Sequence, residues 1–221
     1  MPAHNKKLIW DVPVRISHWL LVILIPWSWY AVEVNDDLDT HMLLGYCIVT
    51  LLLFRIAWGF IGTRYARFSS LWFRLRDYLS AARSLFSRQT GNDAGHNPLG
   101  SLSVVVMLLL LTLQAVTGLF SNDEEYYFGP LSDNVSSHTA SVLTRIHHVN
   151  FNILFGFILL HILAVVFYLI YKRQNLILPM ITGRKTDVEG RLEAISGSRL
   201  SLASVLILVS AALVYCLVRF A

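Results

Sequence analysis

The chain has 221 residues, of which 55% are hydrophobic and only 14% charged, and its mean hydropathy is +0.56. Soluble domains carry roughly one quarter charged residues, so this composition excludes a soluble globular protein and a disordered one, and implies a polytopic membrane protein with lipid around it. The net charge of +4 is spread over separate loops, and no nucleic-acid partner is expected from it.

Five stretches are apolar over the ~20 residues that a hydrocarbon core demands. In chain order they run from about Pro13 to Val34, His41 to Ile61, Leu99 to Phe120, Thr144 to Tyr171 and Leu200 to Phe220. The N-terminus lacks a small-residue cleavage site after its apolar core, so the first stretch reads as a retained span. Pro26 should bend it, because proline removes a backbone donor and crowds the preceding turn. Between the second and third spans, RFSSLWFRLRDYLSAARSLF places Phe68, Leu71, Trp72, Leu75, Tyr78, Leu79 and Phe86 at helical spacing opposite arginines. This predicts an amphipathic helix on an anionic membrane surface.

Charge sorts the loops. Lys6, Lys7 and Arg15 surround the start of the first span; Arg64, Arg67, Arg74, Arg76, Arg83 and Arg88 follow the second; Lys172, Arg173, Arg184, Lys185, Arg191 and Arg199 follow the fourth. The other loops are acidic, with Glu33, Asp36, Asp37 and Asp39 in one and Asp123, Glu124, Glu125 and Asp133 in the next. Basic loops stay on the cytoplasmic side, which predicts a cytoplasmic N-terminus and a periplasmic C-terminus. The two cysteines, Cys47 and Cys216, lie far apart in apolar spans, and the absence of CxxC and CxxCH excludes a paired-thiol site and covalent haem attachment.

Of the eight histidines, His147 and His161 lie fourteen residues apart in the fourth span. That is close to four helical turns, so both share one face about 21 Å apart. Ionisable residues inside a membrane helix usually face the bundle and mark function. Topology supplies each a partner at its own depth: His41 with His147 near the outer surface, His18 with His161 near the inner one. Two facing imidazoles suit the axial positions of a haem iron, which points to two b-type haems. His148 is the alternative to His147 if the helix register differs. His4, His96 and His138 lie in loops and are expected to bind nothing.

Gly45 shares a face with His41 and permits close approach of a porphyrin or a helix. Arg55, fourteen residues after His41, falls near the inner level, where it either pairs with a haem propionate or snorkels to the headgroups. Arg15 and Arg145, close to two of the histidines, are further propionate candidates. Gln114 and Thr117 offer polar contacts to a quinone or haem, or hydrogen bonds between helices. The tryptophans sit mostly near span ends, as an interfacial belt does.

The segments WDVPVRISHWLL, HMLLGYCIVTLLLFRIAWGFIG, GHNPLGSLSVVVMLLLL and HHVNFNILFGFILLHILAVVFYLIYKRQNLILPMITGRK resemble the bacterial cytochrome b561 superfamily, in the branch of the cytochrome b subunits of nickel-iron hydrogenases. The resemblance covers most of residues 8 to 185. It implies a four-helix bundle holding two b haems, with His18, His41, His147 and His161 as ligands. It also implies electron exchange between membrane quinone and a partner at the membrane surface. SLASVLILVSAALVYCLVRF, a fifth span without histidine, departs from that four-helix pattern.

The expected architecture is therefore an all-α membrane protein. A di-haem cytochrome b domain spans residues 1–182, and a cytoplasmic linker with the fifth helix spans residues 183–221. The expected function is electron transfer across the bacterial inner membrane between quinone and a periplasmic redox partner, a c-type cytochrome or a hydrogenase. Some members of the wider family resemble superoxide oxidases, which pass electrons from superoxide to ubiquinone. Such a site would want a positive outer surface to attract the anion, and the outer loops here are acidic.

Overall fold

The computed structural model describes residues 6–87, 95–122, 128–186 and 192–220. His4, Arg88, Arg191, Asp123, Glu124 and Glu125, together with residues 89–94 of the turn into the third span, lie outside the described residues. Five helices are long and apolar enough to cross a membrane: α1 Val12–Glu33, α2 Leu38–Ile61, α4 Pro98–Leu119, α5 Ser137–Ile170 and α7 Leu200–Phe220. Shorter helices α3 (Leu75–Arg83) and α6 (Ile177–Thr182) lie between them, and strands β1 (Lys6–Leu8) and β2 (Arg184–Thr186) pair antiparallel.

Helix starts follow side-chain caps, which satisfy otherwise unpaired first-turn amides. Asp11 accepts from Val14 N ahead of α1, Asp37 from Thr40 N ahead of α2, Asn97 from Gly100 N ahead of α4 and Ser136 from Thr139 N ahead of α5. Those caps move two starts earlier than hydropathy suggests, α2 to Leu38 and α5 to Ser137. At 1.5 Å per residue α5 is about 51 Å long, well beyond the ~30 Å of a hydrocarbon core. The extra length is at its N-terminal end.

The predicted amphipathic helix is shorter than its pattern. Phe68–Leu71 forms a 3-10 turn, Trp72–Arg74 is irregular, and only Leu75–Arg83 is α-helical. At the break, the Ser70 amide and hydroxyl both donate to Arg67 O (3.0 and 2.6 Å), closing the 3-10 turn. Downstream, Asp77 accepts from Arg74 N and starts α3. Tyr171 Oη and Lys172 Nζ, at the end of α5, donate to Phe86 O and Ser84 O and hold this segment against the bundle.

Two apolar clusters organise the spans. One joins Ile48 and Leu52 of α2, Leu111 of α4 and Leu154 of α5, with Leu21 and Leu24 of α1 packed alongside. The other joins Val14, Phe54, Trp58 and Ala66 with Ala203 of α7. The first closes a four-helix bundle; the second places α7 beside α2, outside that bundle. At the end where the basic residues gather (the basic end), β1–β2 pairing ties the N-terminus to the chain after α5. Gly183 caps α6 with φ +79°, where a Cβ would lie 2.6 Å from Trp10 O. Its carbonyl accepts from Ile9 N and Trp10 N.

Candidate functional site

At the opposite, acidic end, His41 of α2 and His147 of α5 face each other across the bundle. Their ring centroids are 6.2 Å apart and their planes are inclined at 85°. Two imidazole nitrogens about 2.0–2.1 Å from one metal ion, each about 1.1 Å from its ring centre, would set the centroids about 6 Å apart. The pair therefore has room for one ion between its rings. His41 Nδ1 donates to Ser28 O (2.9 Å) and His147 Nδ1 donates to Gln114 O (3.0 Å). A backbone carbonyl accepts only, so both rings carry their proton on Nδ1 and keep Nε2 free as a ligand.

A largely apolar, partly open pocket includes both histidines and is walled by Ile25, Gly45, Val49, Leu111 and Phe151. A Cβ built on Gly45 meets nothing within 4 Å, whereas one on Gly118 would lie 2.9 Å from His147 Cε1. Gly45 leaves open space and Gly118 leaves room for the His147 ring. Thr117 Oγ1, donating to Leu113 O, also sits 3.3 Å from His147 Nδ1. Gln114 Oε1 accepts from Asn150 Nδ2 (2.7 Å), which pins α4 to α5 beside the ring.

His148 is exposed, on a different face of α5 from His147 and not among the cavity residues. Arg145 is also exposed and lines a shallow groove with Leu113 and Asn150, apart from the cavity.

At the basic end, His18 of α1 and His161 of α5 are both half-buried and close enough to interact electrostatically. Among the described residues they show no ring contact like that of His41 with His147, and no cluster of three or more His, Cys, Asp or Glu forms a metal site. His18 Nδ1 is enclosed without a hydrogen-bond partner.

Arg55 is buried, donates to Ala66 O (3.2 Å) and lies over the Phe68 ring at 5.8 Å. It is thus held inside the protein and not extended to the surface. Arg15 instead binds backbone: Nε to Asp11 O and Nη1 to Ile181 O, tying α1 to α6.

Two residues at this end escaped sequence reading. Asp11 is 1% exposed; besides capping α1 it accepts from Trp58 Nε1 (3.1 Å) and from Thr63 Oγ1, joining α1 to the end of α2. Its signal was present as an aspartate just before Val12-Pro13, a helix-start pattern. His96, assigned to a loop, packs on Trp10 with centroids 4.6 Å apart and shares electrostatic contact with Arg55, His161 and His18. Its position two residues before the α4 proline, on the same membrane side as His18, was the available clue.

A membrane-embedded helical bundle with opposed imidazoles around an apolar cavity defines the class of haem-binding membrane proteins. The profile of a family described as prokaryotic cytochrome b561 matches residues 9–183, and the chain belongs to that family. It is a multi-pass membrane cytochrome that carries haem b and transfers electrons.

Among curated proteins it is similar to a probable Ni/Fe-hydrogenase B-type cytochrome subunit of Rhizobium leguminosarum bv. viciae. The two are 24% identical over 83% of this chain and 93% of that relative. The corresponding proteins of Escherichia coli K12 (a hydrogenase 1 subunit) and Rhodobacter capsulatus are 25% and 22% identical. They match over 53% and 84% of this chain, and over 62% and 83% of their own lengths. No solved structure matches the chain.

Proposed function

We propose that this protein is a di-haem cytochrome b that carries electrons across the bacterial inner membrane, between membrane quinone and a periplasmic redox subunit. The observation that carries the reading is the His41–His147 pair, 6.2 Å apart with near-perpendicular rings beside an apolar cavity. Residues 1–182 form the di-haem domain, and residues 183–221 supply a linker and an additional span.

Haem b, when bound, supplies a one-electron centre at each end of the bundle. His41 and His147 ligate the iron at the acidic end, and Ser28 and Gln114 orient them through their carbonyls. His18 and His161 ligate the second at the basic end, where Arg55 pairs with a propionate. Arg15 and Arg145 remain weaker propionate candidates, because the first already has two nitrogens on the Asp11 and Ile181 carbonyls and the second is exposed and apart from the cavity. Gly45 keeps side-chain bulk away from the porphyrin, and the apolar walls exclude water. Positive charge retained inside gives a cytoplasmic N-terminus and a periplasmic C-terminus.

The acidic end is then the docking side for a partner, either a hydrogenase or a c-type cytochrome. The hydrogenase reading is favoured by the names of the similar proteins.

The test is haem stoichiometry with a potentiometric titration of purified protein. Two haems per chain are expected. His41→Ala and His147→Ala should each remove the same haem, and His18→Ala and His161→Ala the other, while His148→Ala should remove neither. A single haem per chain, or a haem lost from His148→Ala and kept in His147→Ala, defeats the assignment.

A further inference from the structure

His96 lies outside the spans yet is drawn into the basic-end histidine cluster. Its ring is half-buried against Trp10, and its Nδ1 is enclosed with no hydrogen-bond partner. Burial holds its pKa down to about 4, helped by the positive fields of Arg55, His161 and His18. The ring is therefore a neutral imidazole at physiological pH, with one N–H to donate.

The neighbourhood combines little water, a buried guanidinium and an unused imidazole nitrogen. Burial there disfavours charge of either sign, and the guanidinium offsets that cost for an anion. The nearby buried carboxylate, Asp11, already accepts from Val14 N, Trp58 Nε1 and Thr63 Oγ1. Arg55, among the described residues, makes a side-chain hydrogen bond only to Ala66 O. A guanidinium and a neutral N–H converging from α2 and from the entry to α4 are suited to a carboxylate brought in by a ligand.

We propose that His96 is a propionate-binding residue of the basic-end haem, acting beside Arg55 as the second arm of a carboxylate clamp. This rests on the di-haem reading, since the clamp needs a haem between His18 and His161. His96 contributes a hydrogen bond from its ring N–H. It thereby anchors the macrocycle edge to the α4 entry, which no ligand histidine reaches. Losing that bond leaves more uncompensated negative charge near the iron and favours its ferric form.

The test uses full-length protein holding both haems, titrated potentiometrically in the visible region. His96→Leu should keep two haems per chain and change the oxidised-to-reduced ratio of one haem about tenfold toward oxidised, about 59 mV for one electron. The other haem should not move. His96→Gln, which restores a donor, should recover most of the shift, and Arg55→Gln should move the same haem in the same direction. With haem labelled by ¹³C at its propionate carboxyls, the redox-difference infrared carboxylate bands should shift in His96→Leu. Loss of the basic-end haem in His96→Leu with retention in His96→Gln counts equally in favour. Two haems with unchanged potentials and unchanged propionate bands in His96→Leu overturn the clamp alone. A wild-type protein with no haem at the His18/His161 level overturns the di-haem reading and the clamp with it.

Discussion

Gly118 shows how closely one position governs the acidic-end site. It sits on α4 opposite His147, and an added Cβ would press within 2.9 Å of the ring. Overpacking of this kind costs about 1–3 kcal/mol, and the strain would fall on a ring held by Gln114 O. Gly118→Ala should therefore weaken haem retention at the acidic end about tenfold or more while leaving the basic-end haem in place, measured as haem-to-protein ratio after detergent dilution. Gly45 differs because its missing Cβ faces open space. At this scale the common face of His147 and His161, the two proposed ligands on α5, was legible, since a fourteen-residue interval on an apolar helix fixes it. His96 was not legible, because nothing in a short polar turn says which way an imidazole folds. Its placement shows only in the packing of the ring against Trp10.

Among the elements, α7 carries no histidine, and its role here is packing. Ala203 joins the cluster of Val14, Phe54, Trp58 and Ala66, Arg199 Nη1 donates to Ile61 O, and Ser198 Oγ accepts from Val12 N. Ala203→Phe should lower the melting temperature by about 2–12 °C, taking 1–3 kcal/mol of overpacking at roughly 2–4 °C per kcal/mol. The haem content should stay at two. A selective loss of the acidic-end haem would contradict a packing role confined to the basic end. The α3 segment was legible in its composition and misread in its length. Its periodicity ran through Phe68–Phe86, but the backbone forms a 3-10 turn at Phe68–Leu71 and is irregular from Trp72 to Arg74. Trp72, Leu75 and Phe86 remain largely exposed, as expected for side chains that meet lipid.

Across the whole molecule, charge divides the two ends and the histidine pairs lie one to each. With Cys47 and Cys216 replaced by serine, Asp133→Cys should react with a membrane-impermeant maleimide in sealed right-side-out vesicles, and Arg76→Cys should react only after the membrane is opened. The reverse pattern would invert the orientation proposed from the basic loops.

Five spans, their charge asymmetry and the depth of four histidines are one-dimensional properties, set by hydropathy and helical period along the chain, and the sequence alone determined them. Three features depend on which helices touch, and only the tertiary structure decided them. These are the 6.2 Å opposition of His41 and His147, the seating of α7 against α2, and the capture of His96 beside Arg55. The physical reason is that lipid-facing and bundle-facing positions are equally apolar here, so periodicity cannot say which side meets a neighbour. Packing settles it, through small residues such as Gly118 and Ala203 that let specific partners close.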